Sequence, residues 1–304
     1  MRWMRRLVPL CLISALSLVS LIVLLTRNVD FFGTGTGTRN RSWSMDYRII
    51  FEPTVFREDR PVLFVVTSAP GNFGKRNAIR RTWGGSPSAR VLYLLGVSAN
   101  QTEEEERRIE LEAKTHNDIL QFDFEDNYRN LTLKSCALVM WVFRNAWPKR
   151  KVVIKVDDDT CVDMPLLSHI LGDFKDGIYG EYRGMSKPLR CVSPACTKWG
   201  LTNEEYEAAY FPPHLQGSFY VIAESAVAKL HEYLFTPRFL FIEDVYLTGL
   251  VARAANVSVQ PMPRETIVNP LHARLDWKKQ KNLVAQHQCD EKFQQEFWQH
   301  TSGI

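Results

Sequence analysis

The sequence carries little charge of one sign. Its 38 lysine and arginine residues stand against 34 aspartate and glutamate residues, a formal net charge of +4 over 304 residues. Much of that excess lies in the short N-terminal arm and in scattered arginines. No basic stripe interleaved with aromatics runs along the chain, which argues against a nucleic-acid partner. No internal repeat at solenoid or propeller spacing is present. The composition, 45% hydrophobic and 24% charged, is that of a globular chain and not of a disordered or fibrous one. Cysteine is sparse, with 6 residues. Neither a C-x-x-C pair nor a histidine pattern accompanies the two closest, Cys191 and Cys196, so a zinc module is weakly indicated at best.

Long apolar runs are likewise missing, with one exception. Residues 7–25 carry no charge and are long enough to span a bilayer as a helix. Arg2, Arg5 and Arg6 precede the run, and the positive-inside rule puts that end in the cytosol. A cleaved secretory signal is the rival reading. Against it, the run is longer than a usual signal core and ends in Leu25-Thr26-Arg27-Asn28, without a small-x-small cleavage pattern. The expected organisation is a cytoplasmic arm (1–6), a membrane signal-anchor (7–26), a lumenal stem (27–59) containing the low-complexity Gly-Thr tract 33–38, and one large domain (60–304). Four N-x-S/T sequons, at Asn40, Asn100, Asn130 and Asn256, agree with a lumenal location. Beyond Cys11 in the apolar run, five cysteines remain. An oxidising lumen would allow one or two disulfides, including a small staple between Cys191 and Cys196, with at least one thiol free or paired between two copies in a homodimer.

From Arg60 onward, apolar runs alternate with helical patterns. Strands are expected over 62–66, 91–95, 119–124 and 152–156. Helices are expected around 77–83, over 102–114 with Thr102 as N-cap, and over 131–145 with one apolar face. Such alternation predicts an α/β domain whose sheet is mostly parallel and flanked by helices on both faces. The second half is less regular: a strand over 217–223, a helix over 224–234, and another over 245–255 following Glu243-Asp244. Residues 42–56 hold several aromatics that would pack on the domain.

The chemistry concentrates at Asp157-Asp158-Asp159, which ends the apolar run Val152-Val153-Ile154-Lys155-Val156. Sheets of this class bind ligands at the carboxyl ends of their strands. Three adjacent carboxylates repel one another unless a cation neutralises them. A hard divalent ion, Mn²⁺ or Mg²⁺, suits oxygen ligands and commonly holds substrate phosphates. Taken alone, the triplet reads equally as a solvated acidic turn. Glu243-Asp244 is a second acidic pair at a helix start, where the macrodipole favours ionised carboxylates. With both clusters present, one would hold the metal and the other supply a general base. The basic segment 75–81 suits a diphosphate, although a solvated helix face fits it as well.

These residues resemble the Golgi β-1,3-glycosyltransferases, the family of β-1,3-galactosyl- and β-1,3-N-acetylglucosaminyltransferases. Arg76-Asn77-Ala78-Ile79-Arg80-Arg81-Thr82-Trp83-Gly84 is similar to its R-x-AIR-x-TWG signature, and residues 123–134 to its DF-x-D-x-YRNLTLK segment. Lys155-Val156-Asp157-Asp158-Asp159 matches K-x-D-x-D, residues 211–221 resemble YPPYCSGTGYV, Glu243-Asp244-Val245-Tyr246 matches EDVY, and residues 284–288 resemble the terminal SHQ segment. The match runs in order from about Pro61 to Trp298. The resemblance implies a GT-A-type nucleotide-sugar transferase fold, a UDP-sugar donor, Mn²⁺ (or Mg²⁺), inversion at the anomeric carbon and a glycan acceptor on protein or lipid. It implies Asp159, Asp157 and His287 as metal ligands and Asp244 as base, with Glu243 behind it. Arg76, Arg80, Asp126, Lys134, Asp157 and Asp158 would serve the nucleotide sugar. It implies a single-pass type II Golgi membrane protein, with galactose the favoured donor sugar over N-acetylglucosamine. The family's cysteine in YPPYCSG is replaced near Leu215-Gln216, so that disulfide is expected to be lost or rewired. Two other readings compete. A non-catalytic lumenal glycan-binding subunit would predict a broken metal motif or a missing base. A phosphohydrolase would want further carboxylates or histidines for a second metal.

Overall fold

The structure, a computed structural model, describes residues 41–54, 60–148, 151–191, 198–268 and 277–303. The expected membrane segment, Asn40, most of the expected stem and Cys196 lie outside these residues. Among the described residues, no helix is long and apolar enough to cross a membrane.

The main sheet grows from its most apolar strand. In β2 (Val62–Thr67) every residue is buried, as expected of a strand covered on both faces. It pairs in parallel with β3 (Ala89–Val97) on one side and β5 (Val152–Asp157) on the other. β4 (Ile119–Glu125) adds in parallel beyond β3, and the short β1 (Ile49–Phe51) closes that edge antiparallel. On the far side of β5 the direction reverses. β8 (His214–Ala223) runs antiparallel to β5, β7 (Ile178–Arg183) antiparallel to β8, and β9 (Val259–Pro261) parallel to β7. The order is β1-β4-β3-β2-β5-β8-β7-β9. The sheet is therefore mixed, with four of its seven pairings parallel and three antiparallel. Apolar runs mark where strands lie but not their direction, and the chain beyond β5 does not return through a crossover helix to a parallel neighbour.

Helices cover both faces. Alternate residues of the strands, among them Phe64, Val66, Tyr93, Ile154 and Phe219, share one core with α1 (Phe73–Arg81), α2 (Glu103–His116) and α4 (Met164–Ile170). Val153 and Ile222 point the other way, towards α3 (Leu131–Asn145) and α5 (Glu224–Tyr233). The alternation is the period-two geometry of strands. The caps follow the sequence: Thr102 accepts from the Glu105 amide at 3.2 Å, and Asp163 from the Leu166 amide at 2.9 Å.

A small second sheet is built from β6 (Cys161–Val162), β10 (Ile267–Val268) and β11 (Leu283–Gln286), in the order β10-β11-β6. The terminal helix α6 (Glu291–Ser302) follows, capped by Asp290. Residues ahead of β1 pack on the domain. The Ser42 amide donates to Phe235 O at 3.0 Å, and Trp43 Nε1 donates to the Tyr246 hydroxyl at 2.8 Å. The Trp43 ring stands edge-on to Phe235, Phe239 and Tyr246.

Candidate active site

β5 is the strand at which parallel pairing gives way to antiparallel pairing, and the aspartate triplet leaves its carboxyl end. Its three members have different surroundings. Asp157 is fixed through Oδ1, which accepts from Thr67 Oγ1 at 2.8 Å and from Lys155 Nζ at 2.5 Å. Its Oδ2 faces His287 Nε2 at 4.0 Å. Asp159 Oδ1 lies 3.1 Å from the same nitrogen, and its Oδ2 lies 3.6 Å from Lys75 Nζ. One ligand atom from each of Asp157, Asp159 and His287 falls within 4.8 Å of the others. Burial would raise the Asp159 carboxyl, but His287, with help from Lys75, holds it below the usual carboxylate range. Two ionised oxygens and an imidazole, half-buried and convergent, suit a divalent ion of the Mn²⁺ kind.

Asp158 points inward. It is 6% exposed and accepts from Ser68 Oγ at 2.7 Å, Asn72 Nδ2 at 2.8 Å and Lys75 Nζ at 2.9 Å. It ties the loop after β2 to the triplet, its carboxylate taken up by these three donors. Asp157 ends β5, and Asp158 and Asp159 form the turn after it, which directs Asp158 to the loop while Asp157 and Asp159 face His287.

His287 reaches the triplet from more than a hundred residues away through the small sheet. β11 pairs antiparallel with β6, Ala285 opposite Val162 and Gln286 opposite Cys161. The Cys289 amide donates to Asp159 O at 2.7 Å, and a disulfide joins Cys161 to Cys289. Neither this pairing nor its partners could be chosen from cysteine positions alone. Cys191 is also disulfide-bonded. The free thiol among the described residues is Cys136, buried in α3, so it is not available for a bridge between two copies.

The second acidic pair enters from the opposite side of β5. Asp244 begins a π-helical segment, Val245–Val251, a geometry that recurs at functional sites. Its Oδ1 accepts from the Val245 amide at 2.8 Å. Burial pushes the Asp244 carboxyl up, while the Val245 amide and Lys155 oppose the rise. Glu243 is buried behind it, accepting from Ser135 Oγ at 2.5 Å and Tyr220 OH at 2.8 Å, and burial raises it too. Gly217 on β8 leaves the space this pair occupies. A Cβ there would stand 3.1 Å from Glu243 Oε2 and 3.3 Å from Asp244 Cβ. Lys155 joins the two clusters, donating to Asp157 Oδ1 and to Gly217 O, both at 2.5 Å, with Glu243 Oε2 at 3.8 Å. Tyr128 belongs to the same neighbourhood, since burial and then the charge of Asp244 push its hydroxyl up to about 12.

The two arginines expected at the nucleotide bind groups within the chain. Arg76 is fully buried, and all five of its donors are satisfied within the chain. Nε and Nη2 hold Glu112 at 2.9 and 2.7 Å, and the remainder go to Ser68 Oγ, Ala69 O and Pro70 O. Arg80 binds Asp118 through two bonds of 2.8 Å and Glu112 at 2.7 Å. Both brace α1 against α2 and the loop after β2. Lys75, half-exposed beside Asp158 and Asp159, is the basic residue of this segment that stands at the site. Asp126 and Lys134 form a buried pair at 2.7 Å, and Lys134 also donates to Ser68 O at 2.7 Å. They support the loop from below, and the Lys134 charge is felt at Asp158 and Asp157. Thr67 and Ser135 were not singled out by the sequence; Lys155, Gly217 and Tyr220 lie inside the matched motifs, and Lys75 opens the basic segment expected to suit a diphosphate.

Of the sequons, Asn100 and Asn256 are exposed, Asn256 with a positive φ of 51°. Asn130 is half-buried at the start of α3, and its Nδ2 donates to Glu125 O at 2.8 Å.

This chain belongs to the galactosyltransferase family, whose profile matches residues 74–263, well over half of its length. It is 29% identical over 276 residues to beta-1,3-galactosyltransferase 2 of Mus musculus, covering 88% of this chain and 64% of that protein. It is 30% identical over 218 residues to lactosylceramide 1,3-N-acetyl-beta-D-glucosaminyltransferase of Xenopus tropicalis, covering 67% of this chain and 56% of that protein. The chain thus spans somewhat under two thirds of the length of these relatives. Among solved structures, the bifunctional glycosyltransferase WbbM is similar, with a TM-score of 0.42 and 15% identity over 82% of this chain and 50% of that one.

Proposed function

We propose that the chain is an inverting, metal-dependent hexosyltransferase of the GT-A type. It would move a hexose, galactose in the first instance, from a UDP-sugar to the 3-hydroxyl of a glycan acceptor on protein or lipid. The observation that carries this reading is the pairing of two acidic clusters across β5 through one lysine. Relatives named for galactosyl and for N-acetylglucosaminyl transfer are about equally similar, which makes N-acetylglucosamine the second donor to test.

Asp157, Asp159 and His287 would hold the ion, and their convergence fits it. When bound, a divalent ion there supplies positive charge against the diphosphate of the departing nucleotide. Asp244 accepts the proton of the acceptor hydroxyl as that oxygen attacks the anomeric carbon from the face opposite the leaving group. A base is most effective when its pKa approaches the working pH, and burial moves Asp244 in that direction. Glu243 and Lys155 hold the strand and helix start that carry it. Lys75 stands where a diphosphate would meet Asp159. The proposal includes a Golgi membrane location, with residues 7–26 as a type II anchor and the domain in the lumen. The internal disulfide supports an oxidising compartment.

The test is UDP release by the purified domain with Mn²⁺ and UDP-galactose, UDP-N-acetylglucosamine or UDP-N-acetylgalactosamine, with and without a glycan acceptor pool. Release with one donor, abolished by chelation, is the expected result. Asp244→Asn should lower kcat by at least about 100-fold while leaving UDP affinity within about twofold. Retained turnover in the folded variant would remove Asp244 as the base.

A further inference from the structure

Two residues beyond Asp159 is Cys161, and two residues beyond His287 is Cys289. The disulfide between them spans 128 residues of sequence, with a Cα–Cα distance of 6.1 Å. It lies at the end of the β6–β11 pairing, beside the 2.7 Å bond from the Cys289 amide to Asp159 O. The strands themselves are short: β6 has 2 residues and β11 has 4. Gln288, between His287 and Cys289, has a positive φ of 62°, a conformation uncommon for a non-glycine residue. The sulfurs sit in a small apolar core with Trp277, Leu283 and Phe297.

We propose that the Cys161–Cys289 bridge is the positioning element of the metal site, setting His287 Nε2 against Asp157 and Asp159. The proposal rests on the reading that these three residues bind a divalent ion. Asp157, at the end of β5, and Asp159, in the turn that follows, offer only part of a coordination shell. The imidazole arrives on a separate segment, and a pair of such short strands is weak on its own. The bridge removes the freedom that segment would otherwise have, so binding the ion orders less of the chain. By linkage, whatever factor the bridge adds to metal affinity the metal must add to the stability of the bridge.

The experiment is Mn²⁺ binding, followed by the electron paramagnetic resonance signal of the free ion, in the parent domain, in His287→Ala, and in the double variant Cys161→Val with Cys289→Val, which keeps the apolar core filled. The double variant is expected to stay folded by circular dichroism and to bind Mn²⁺ about 10- to 100-fold more weakly, the scale found when support of a metal ligand is removed. A folded double variant with parental affinity overturns the proposal. If parent and His287→Ala bind Mn²⁺ equally, the metal-site reading falls and this proposal with it. The parent protein provides an additional measurement that does not depend on a variant folding. Dithiothreitol reduces the bridge, its two thiols becoming a cyclic disulfide while Cys161 and Cys289 gain the two electrons and two protons. Saturating Mn²⁺ should lower the potential of the bridge, by about 30 mV for each tenfold of coupling. A potential that Mn²⁺ does not move also overturns the proposal.

Discussion

Two groups of charged side chains flank the carboxyl ends of the same strands. In one, Arg76, Arg80, Glu112 and Asp118 answer one another so fully that every guanidinium donor of Arg76 is satisfied inside the protein. In the other, Asp157, Asp159 and His287 turn ligand atoms towards a common point. By residue type the arginine group suits a nucleotide better, because arginines match phosphates. By geometry the aspartate-histidine group does, because its ligand atoms lie within 4.8 Å of one another, as a shared cation requires. What distinguishes structure from site here is not the amount of charge but whether its hydrogen-bonding capacity is closed among neighbours.

That contrast can be broken experimentally. Asp159→Asn should weaken Mn²⁺ binding and turnover by at least about 100-fold with a melting temperature within about 2 °C of the parent. Calorimetry and UDP release would check both, and parental Mn²⁺ affinity would count against Asp159 as a ligand. Glu112→Gln should do the reverse. It leaves the buried Arg76 without its charge partner and should cost about 3 kcal/mol of stability in a denaturant titration, with Mn²⁺ affinity unchanged in the folded protein. Gly217→Ala falls between the two. Its methyl group would press on Glu243 and Asp244, and a displaced base should reduce turnover by about tenfold at nearly unchanged stability.

The pH dependences should also diverge. Burial would raise the Glu112 carboxyl, but Arg76 and Arg80 outweigh it and lower it. Its contribution to stability is therefore complete above its unfolded value of 4.5 and is lost as pH falls through the lower folded one. Asp244 is raised by burial from 3.8, so as a base it is already protonated at a pH where an ordinary aspartate is still charged. The acid limb of kcat/KM should accordingly lie above the ordinary aspartate range. Finding it at the ordinary value would argue that Asp244 is solvated during turnover.

Local pattern made much of this legible. The expected boundaries of α3 are those observed, β2 and β5 differ from expectation by a residue at one end, and Thr102 caps α2. The two acidic clusters stood out in the sequence itself, but the placing of His287 beside Asp157 and Asp159 was legible only through the ordered motifs, since nothing local relates His287 to Asp159. The unforeseen features are non-local. Strand direction beyond β5, the two- to four-residue strands of the small sheet and the cysteine pairing all depend on contacts between distant segments. The basic stretch 75–81 divides for a physical reason: periodicity says which residues share a helix face, but not that Glu112 and Asp118 will draw Arg76 and Arg80 inward while Lys75 stays beside Asp158 and Asp159.

The segment ahead of β1 bears on how this protein can be cut. Trp43 covers Phe235 and Phe239 and binds the hydroxyl of Tyr246, two residues after the proposed base. A fragment beginning at Asp46, a natural choice if these residues are taken for stem, would uncover an aromatic patch and strip a hydrogen bond from the helix that carries Asp244. Exposed patches of that kind favour aggregation. The smallest fragment that keeps this packing intact therefore starts at or before Arg41.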